Sequence, residues 1–313
     1  MITGIEGLKF GVEDRDLSHK FIDNFGLKQV DTHSDEVDVF STQDGSRIYV
    51  YDKDNEQLPP AIESGSTLRE VMWGVETDAH LAELKVRLKD VDGFSETAES
   101  VSCTDPNGLR ITFAKSYVQP VEGLTSFGMN QYGKVDRVNE ASPVYQQAEP
   151  VRIGHVVLFT PNLDEVQAFY TEKLGFYLSD AYNGRGAFMR CKEEGFHHDL
   201  FLLKLPHKPN PGLNHVAFVV RDIHEVIGGG INMNRKSWSS FIGPGRHPIS
   251  SAYFWYVNSP LGGAFEYYTN EDYLTKDWQP RHVDYAVELF TEWAVDGGVD
   301  PTTRRQITQM IPG

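Results

Sequence analysis

Three short apolar runs each carry one side chain able to bind a metal: Ile153-Gly154-His155-Val156-Val157, Leu213-Asn214-His215-Val216-Ala217 and Gly263-Ala264-Phe265-Glu266-Tyr267. Runs of this kind read as strands, in which side chains two apart share a face, so His155, His215 and Glu266 can all point into one cavity. Two imidazoles and one carboxylate leave positions open on an octahedral ferrous ion, enough for a chelating substrate and for oxygen. Zinc accepts the same donors, and each residue taken singly also reads as a hydrogen-bonded core histidine or an ion-paired strand glutamate. The trio together favours a metal.

Other polar groups fall near these runs. His197-His198-Asp199 opens an apolar strand, and alternation turns one of the two histidines inward and the other to solvent, with His198 as the inner one. A neutral histidine beside a metal can accept a proton from a hydroxyl ligand. Gly243-Pro244-Gly245-Arg246-His247-Pro248 reads as a tight loop that carries His247 to the cavity mouth. In the strand that follows, alternation groups Phe254 with Tyr256, whose hydroxyl can donate into the same space. Phe188, Trp238, Phe254 and Trp255 are candidates for pocket walls, although core packing is the better reading of them.

The elements that must position these groups form a repeat. Residues 5–12 read as a strand, and residues 16–26 as a helix with Leu17, Phe21 and Phe25 on one face and Gly26 as its stop. Strands over 27–32, 37–41 and 47–51 follow, then a strand over 67–75, a helix from Asp78 with Leu81, Leu84 and Leu88 inward, and a strand over 109–113. The second half echoes this order. The helix pattern of residues 163–176 matches that of 16–27, residues 214–220 match 69–75, and Ser259-Pro260-Leu261-Gly262 matches the turn Asp105-Pro106-Asn107-Gly108. Glu266 thereby corresponds to Thr112, His215 to Glu70, and His155 to about Leu8. Donor atoms in one copy only imply one metal site per chain.

The expected organisation is a metal-free domain over 1–118, a linker over 119–150, a metal-binding domain over 151–273, and a partly helical tail over 274–313. In the tail, apolar spacing over 281–295 predicts a helix stopped by Gly297-Gly298, suited to covering the cavity or an oligomer interface. With 45 acidic against 29 basic residues and a formal charge of −16, the chain is a poor partner for nucleic acid or an anionic membrane. Two cysteines, Cys103 and Cys191, make no disulfide framework and fit a reducing cytoplasm; no signal peptide or long apolar span is read.

The set resembles the type I extradiol ring-cleavage dioxygenases of the vicinal oxygen chelate superfamily. The resemblance rests on a Gly-Arg-His loop at His247, a tyrosine nine residues on at Tyr256, and a glutamate ten further at Glu266, with His155, His215 and His198 in the remaining motif positions. It implies an α+β fold of tandem βαβββ modules forming two domains, each an incomplete mixed β-barrel. It further implies Fe(II), with Mn(II) as second choice, held by His155, His215 and Glu266. O2 would be the co-substrate and an aromatic vicinal diol the substrate, with His198 as acid or base and His247 and Tyr256 hydrogen-bonding reacting oxygens. Assembly would be with further copies of the same chain. The sequence departs from biphenyl-diol members at Pro248-Ile249-Ser250, where many carry asparagine and aspartate, which leaves smaller, substituted or trihydroxylated rings open. Two other readings stand beside this one: a metal-dependent isomerase or epimerase of the glyoxalase-like superfamily, and a non-enzymatic protein that sequesters an aromatic ligand.

Overall fold

Strand and helix alternate twice along the chain in the computed structural model, which describes residues 1–30, 34–124 and 128–295. The first pass gives β1 (Ile2–Val12), α1 (Arg15–Phe25), β2 (Lys28–Val30), β3 (Val37–Ser41), β4 (Arg47–Asp52), β5 (Thr67–Val75), α2 (Asp78–Leu88), β6 (Ser95–Glu96), β7 (Ser100–Thr104) and β8 (Arg110–Lys115). The second gives β9 (Arg152–Phe159), then α3 (Leu163–Ala168), which runs into a wider helical turn over Phe169–Lys173, and β10 (Tyr177–Tyr182), β11 (Gly186–Arg190), β12 (Gly195–Phe196) and β13 (Leu200–Leu203). It continues through β14 (Gly212–Val219), α4 (Ile223–Arg235), β15 (Ser240–Arg246), β16 (Tyr253–Asn258) and β17 (Ala264–Thr269). Local chemistry sets the helix ends. Asp14 accepts from the Leu17 amide at 2.8 Å, Asp222 accepts from the Glu225 amide, and Gly26 closes α1 at a φ of 102° that other residues resist.

Two open mixed sheets result. The first has the order β2-β3-β4-β1-β5-β8-β7-β6, and in the second β13-β9-β14-β17-β16 are neighbours. This is the tandem βαβββ architecture. In each sheet the central strand pairs antiparallel with the strand that opens the second module, β1 with β5 and β9 with β14. The pairing fixes the correspondence between halves. Ala217 lies opposite both His155 and Glu266, as Met72 lies opposite Gly7 and Thr112. The counterpart of His155 is therefore Gly7 and not Leu8; bulges in the β1–β5 ladder move the register by one residue, which spacing alone does not reveal.

One hydrophobic core runs through both sheets. Helix α1 lays Phe25 flat on Tyr267 of β17, with ring centroids 3.9 Å apart, and the Tyr267 hydroxyl donates to the Phe25 carbonyl at 2.7 Å. The second half reciprocates. Tyr170 donates to Asp105 at 3.1 Å, and Phe176 meets Trp73 of β5 edge-on. Between the halves, Ala148 is buried, and the backbone amides of Gln43 and Asp44 donate to Pro150 and Val151.

After β17 come β18 (Tyr273–Leu274), β19 (Arg281–Val283), a single turn α5 (Val287–Phe290) and β20 (Trp293–Ala294). The spacing that predicted one helix over 281–295 yields strand additions instead. β19 extends the second sheet beside β10 and β20 pairs with β15, so open sheet edges override a weak helical period. Gly297-Gly298 lies outside the described residues. No helix among the described residues is long and apolar enough to cross a membrane.

Candidate metal centre

β9, β14 and β17 lie side by side, and each turns one donor to the same face of the sheet. His155 Nε2 and His215 Nε2 stand 3.2 Å apart, and Glu266 Oε2 stands 3.2 Å from the first and 3.3 Å from the second. Three donors about 2.1 Å from a common centre and at right angles would be separated by about 3.0 Å, so this near-equilateral triangle has the dimensions of one face of the shell of a single small cation. The donor chemistry fits as well. Glu266 Oε2 is buried without a hydrogen-bond partner, and two imidazole nitrogens facing each other beside it leave lone pairs that a cation satisfies.

Support behind the triangle sets the imidazole tautomer of His215. Its Nδ1–H donates to Asn214 Oδ1 at 2.6 Å, which leaves the Nε2 lone pair for the centre. Gly154 makes room for Tyr268, whose hydroxyl would lie 2.1 Å from any added Cβ, and Tyr268 packs its ring 4.9 Å from that of His155. Burial, then the neighbouring His198, pulls His155 down to about 3, so it stays neutral and able to ligate.

The other sequence-nominated residues converge on the same place. A cavity of about 330 Å³ is lined by His155, His215, Glu266, His198, His247 and Tyr256 together with Val157, Phe188, Phe201, Leu203, Phe241, Ile249 and Phe290. The His198 ring lies 4.0 Å from that of His155. His247 Nδ1–H donates to the Phe290 carbonyl at 2.7 Å, which makes its Nε2 the acceptor for the Tyr256 hydroxyl at 3.0 Å. Burial, with Glu266 nearby, pushes the Tyr256 phenol well above its ordinary range and keeps the proton on oxygen.

The family model for the glyoxalase/bleomycin resistance protein/dioxygenase superfamily matches residues 152–267, the segment that holds all three donors. The match covers this segment and not the first half of the chain. The chain is similar to metapyrocatechase 2 of Cupriavidus necator, with 34% identity over 48% of this chain and 47% of that one. The match therefore spans about half the length of that relative. The 3-methylcatechol 2,3-dioxygenase of Pseudomonas putida is 25% identical over 71% of this chain and 73% of its own. A Mn(II)-bound glyoxalase from Novosphingobium aromaticivorans shares the fold, with a TM-score of 0.73 at 21% identity over 97% of this chain and 94% of that one.

The structure corrects several expectations read from the sequence. His197 does not meet solvent: it is fully buried, because β13 starts only at Leu200 and the preceding bend turns His197 onto Asp180. The Gly-Pro-Gly stretch is not a free loop but the bulged end of β15, paired with β16, and His247 follows it directly. Among the four aromatic wall candidates only Phe188 lines the cavity, stacked 3.8 Å from Phe201. Trp238 packs on Phe21, Trp255 is in the core under α4, and Phe254 stacks beneath His247. Glu271, Asp180 and Arg281 had no sequence signal; they become visible only where β19 closes on β10 and the chain turns after β17.

Proposed function

We propose that the chain is a non-haem, Fe(II)-dependent extradiol dioxygenase that opens the ring of a neutral catechol-type diol with O2. The reading is carried by the donor triangle on the floor of an apolar cavity, with a histidine, His198, that is not part of the triangle beside it. When bound there by His155, His215 and Glu266, Fe(II), with Mn(II) as second choice, supplies adjacent positions for a diol and O2 and a path for electrons between them.

The chain's own residues provide the rest. Phe188, Phe201, Leu203, Phe241, Ile249 and Phe290 hold the ring and exclude water. Among the described residues no lysine or arginine lines the cavity, which favours an unsubstituted or apolar-substituted diol over one bearing a carboxylate. His198 takes the diol proton and returns it to the ring-opening oxygen. Tyr256, its hydroxyl proton retained, can turn from His247 toward a reacting oxygen. The names of relatives, 3-methylcatechol 2,3-dioxygenase and biphenyl-2,3-diol 1,2-dioxygenase among them, support an aromatic vicinal diol here. We place the protein in the cytoplasm as a homo-oligomer; both cysteines are buried and unpaired, as suits a reducing compartment.

The test is anaerobic loading with Fe(II), followed by oxygen uptake and absorbance of yellow ring-opened products over monocyclic, bicyclic and trihydroxylated diols. Stoichiometric uptake with product is expected. Full iron occupancy without uptake on any of them, or an oxygen-independent isomerisation requiring glutathione, would sink the proposal.

A further inference from the structure

Behind His198, on the side away from the cavity, lie two groups with no role so far. Glu271 Oε1 is 2.9 Å from His198 Nδ1 and also accepts the His198 backbone amide at 3.2 Å. His197 Nδ1 approaches the same His198 Nδ1 at 3.2 Å. The protonation of His197 is itself fixed. Its Nε2 lies 2.8 Å from Asp180 Oδ2, and Asp180 is held as a carboxylate by Arg281, whose Nε donates to Oδ1 at 3.0 Å. A carboxylate only accepts, so the His197 proton sits on Nε2 and its Nδ1 is a lone pair.

His198 Nδ1 thus faces two acceptors, a carboxylate oxygen and an imidazole lone pair. Only a proton on His198 Nδ1 satisfies both, and that leaves Nε2 as the lone pair on the ring that lines the cavity. We propose that Glu271 and His197 are positioning residues that lock His198 in its Nδ1–H tautomer, so that a base faces the bound substrate. This rests on His198 acting as the proton-transfer group of the reaction proposed above. Glu271 together with His155 and His198 also satisfies the spacing of a metal-binding trio; its Oε1 accepts the His198 backbone amide and stands 2.9 Å from Nδ1, its Oε2 is buried without a partner, and the metal content of Glu271→Leu separates orientation from ligation.

The tautomer can be read without turnover from the imidazole ¹⁵N shifts of the Zn(II)-loaded protein. His198 is expected to carry its proton on Nδ1 in the wild type and in Glu271→Gln, which keeps an acceptor oxygen, and to shift toward Nε2–H in Glu271→Leu. In oxygen uptake on the Fe(II)-loaded protein, Glu271→Leu should lower kcat roughly 10–100-fold with KM and iron content unchanged, and should cost nothing further in a His198→Phe background. A wild-type His198 protonated on Nε2, iron loss in Glu271→Leu, or losses that multiply in the double variant would each overturn the proposal. If the wild type takes up no oxygen, the dioxygenase reading fails while the ¹⁵N shifts and metal content still decide the role of Glu271.

Discussion

The same three strand positions are built in opposite ways in the two halves. In the second half they are His155, His215 and Glu266, three donors that face one another and leave Glu266 Oε2 and His155 Nδ1 buried without partners. In the first half they are Gly7, Glu70 and Thr112, and there Lys9, the counterpart of Val157, places its ammonium 2.8 Å from Glu70 while Thr112 donates to the same carboxylate. A side chain's own cation does in one copy what a metal would do in the other. A scaffold that gathers donors onto one face therefore needs a positive charge there, and the sequence chooses whether it is covalent or exchangeable.

The largest effect should come from breaking the exchangeable case. Glu266→Ala removes the only anionic donor and should drop metal content from about one ion per chain to near none, measured by elemental analysis after Fe(II) loading. Retention of stoichiometric metal would mean the triangle is not the binding site.

The next contrast lies in the matched turns before β8 and β17. Ser259 accepts one amide with its hydroxyl, whereas Asp105 uses a buried carboxylate to accept the Asn107 and Leu109 amides and the Tyr170 hydroxyl. Burial pushes Asp105 up to about 6 against an ordinary 3.8. The folded state then holds a proton that the unfolded chain has released, so this contribution is full below about pH 4 and is lost as pH rises through 6, a swing of order 3 kcal/mol. Asp105→Asn keeps the amide acceptor, and its denaturation midpoint should lose that dependence between pH 4 and 6. An unaltered profile would assign the titration elsewhere.

The smallest effect belongs to the covalent cation. Lys9→Met leaves Glu70 buried without its partner and should cost roughly 1–3 kcal/mol by chemical denaturation, with Glu70→Gln recovering most of it. Metal content and turnover should not change; a fall in either would mean that the first half contributes more than a scaffold.

The centre itself was legible because its signal is local: each donor sits in its own apolar run, and the repeat aligns those runs. The spacing from His247 to Tyr256 to Glu266 held for the same reason, since β16 and β17 are adjacent strands whose register follows from counting. What sequence reading missed depends on long-range closure. Glu271 lies just past the repeat, Asp180 finds Arg281 only when the tail strand adds to β10, and His197 is hidden by a bend that breaks alternation. The Gly7 correspondence needed the bulges, which leave no residue signature here.

Helix α1 belongs to the half without donors, yet it props the strand next to the carboxylate: Phe25 lies on Tyr267, one residue from Glu266. In a random mutational screen for lost activity, substitutions at Phe21 or Phe25 should therefore surface among the hits alongside those at the centre, although no atom of α1 reaches the cavity.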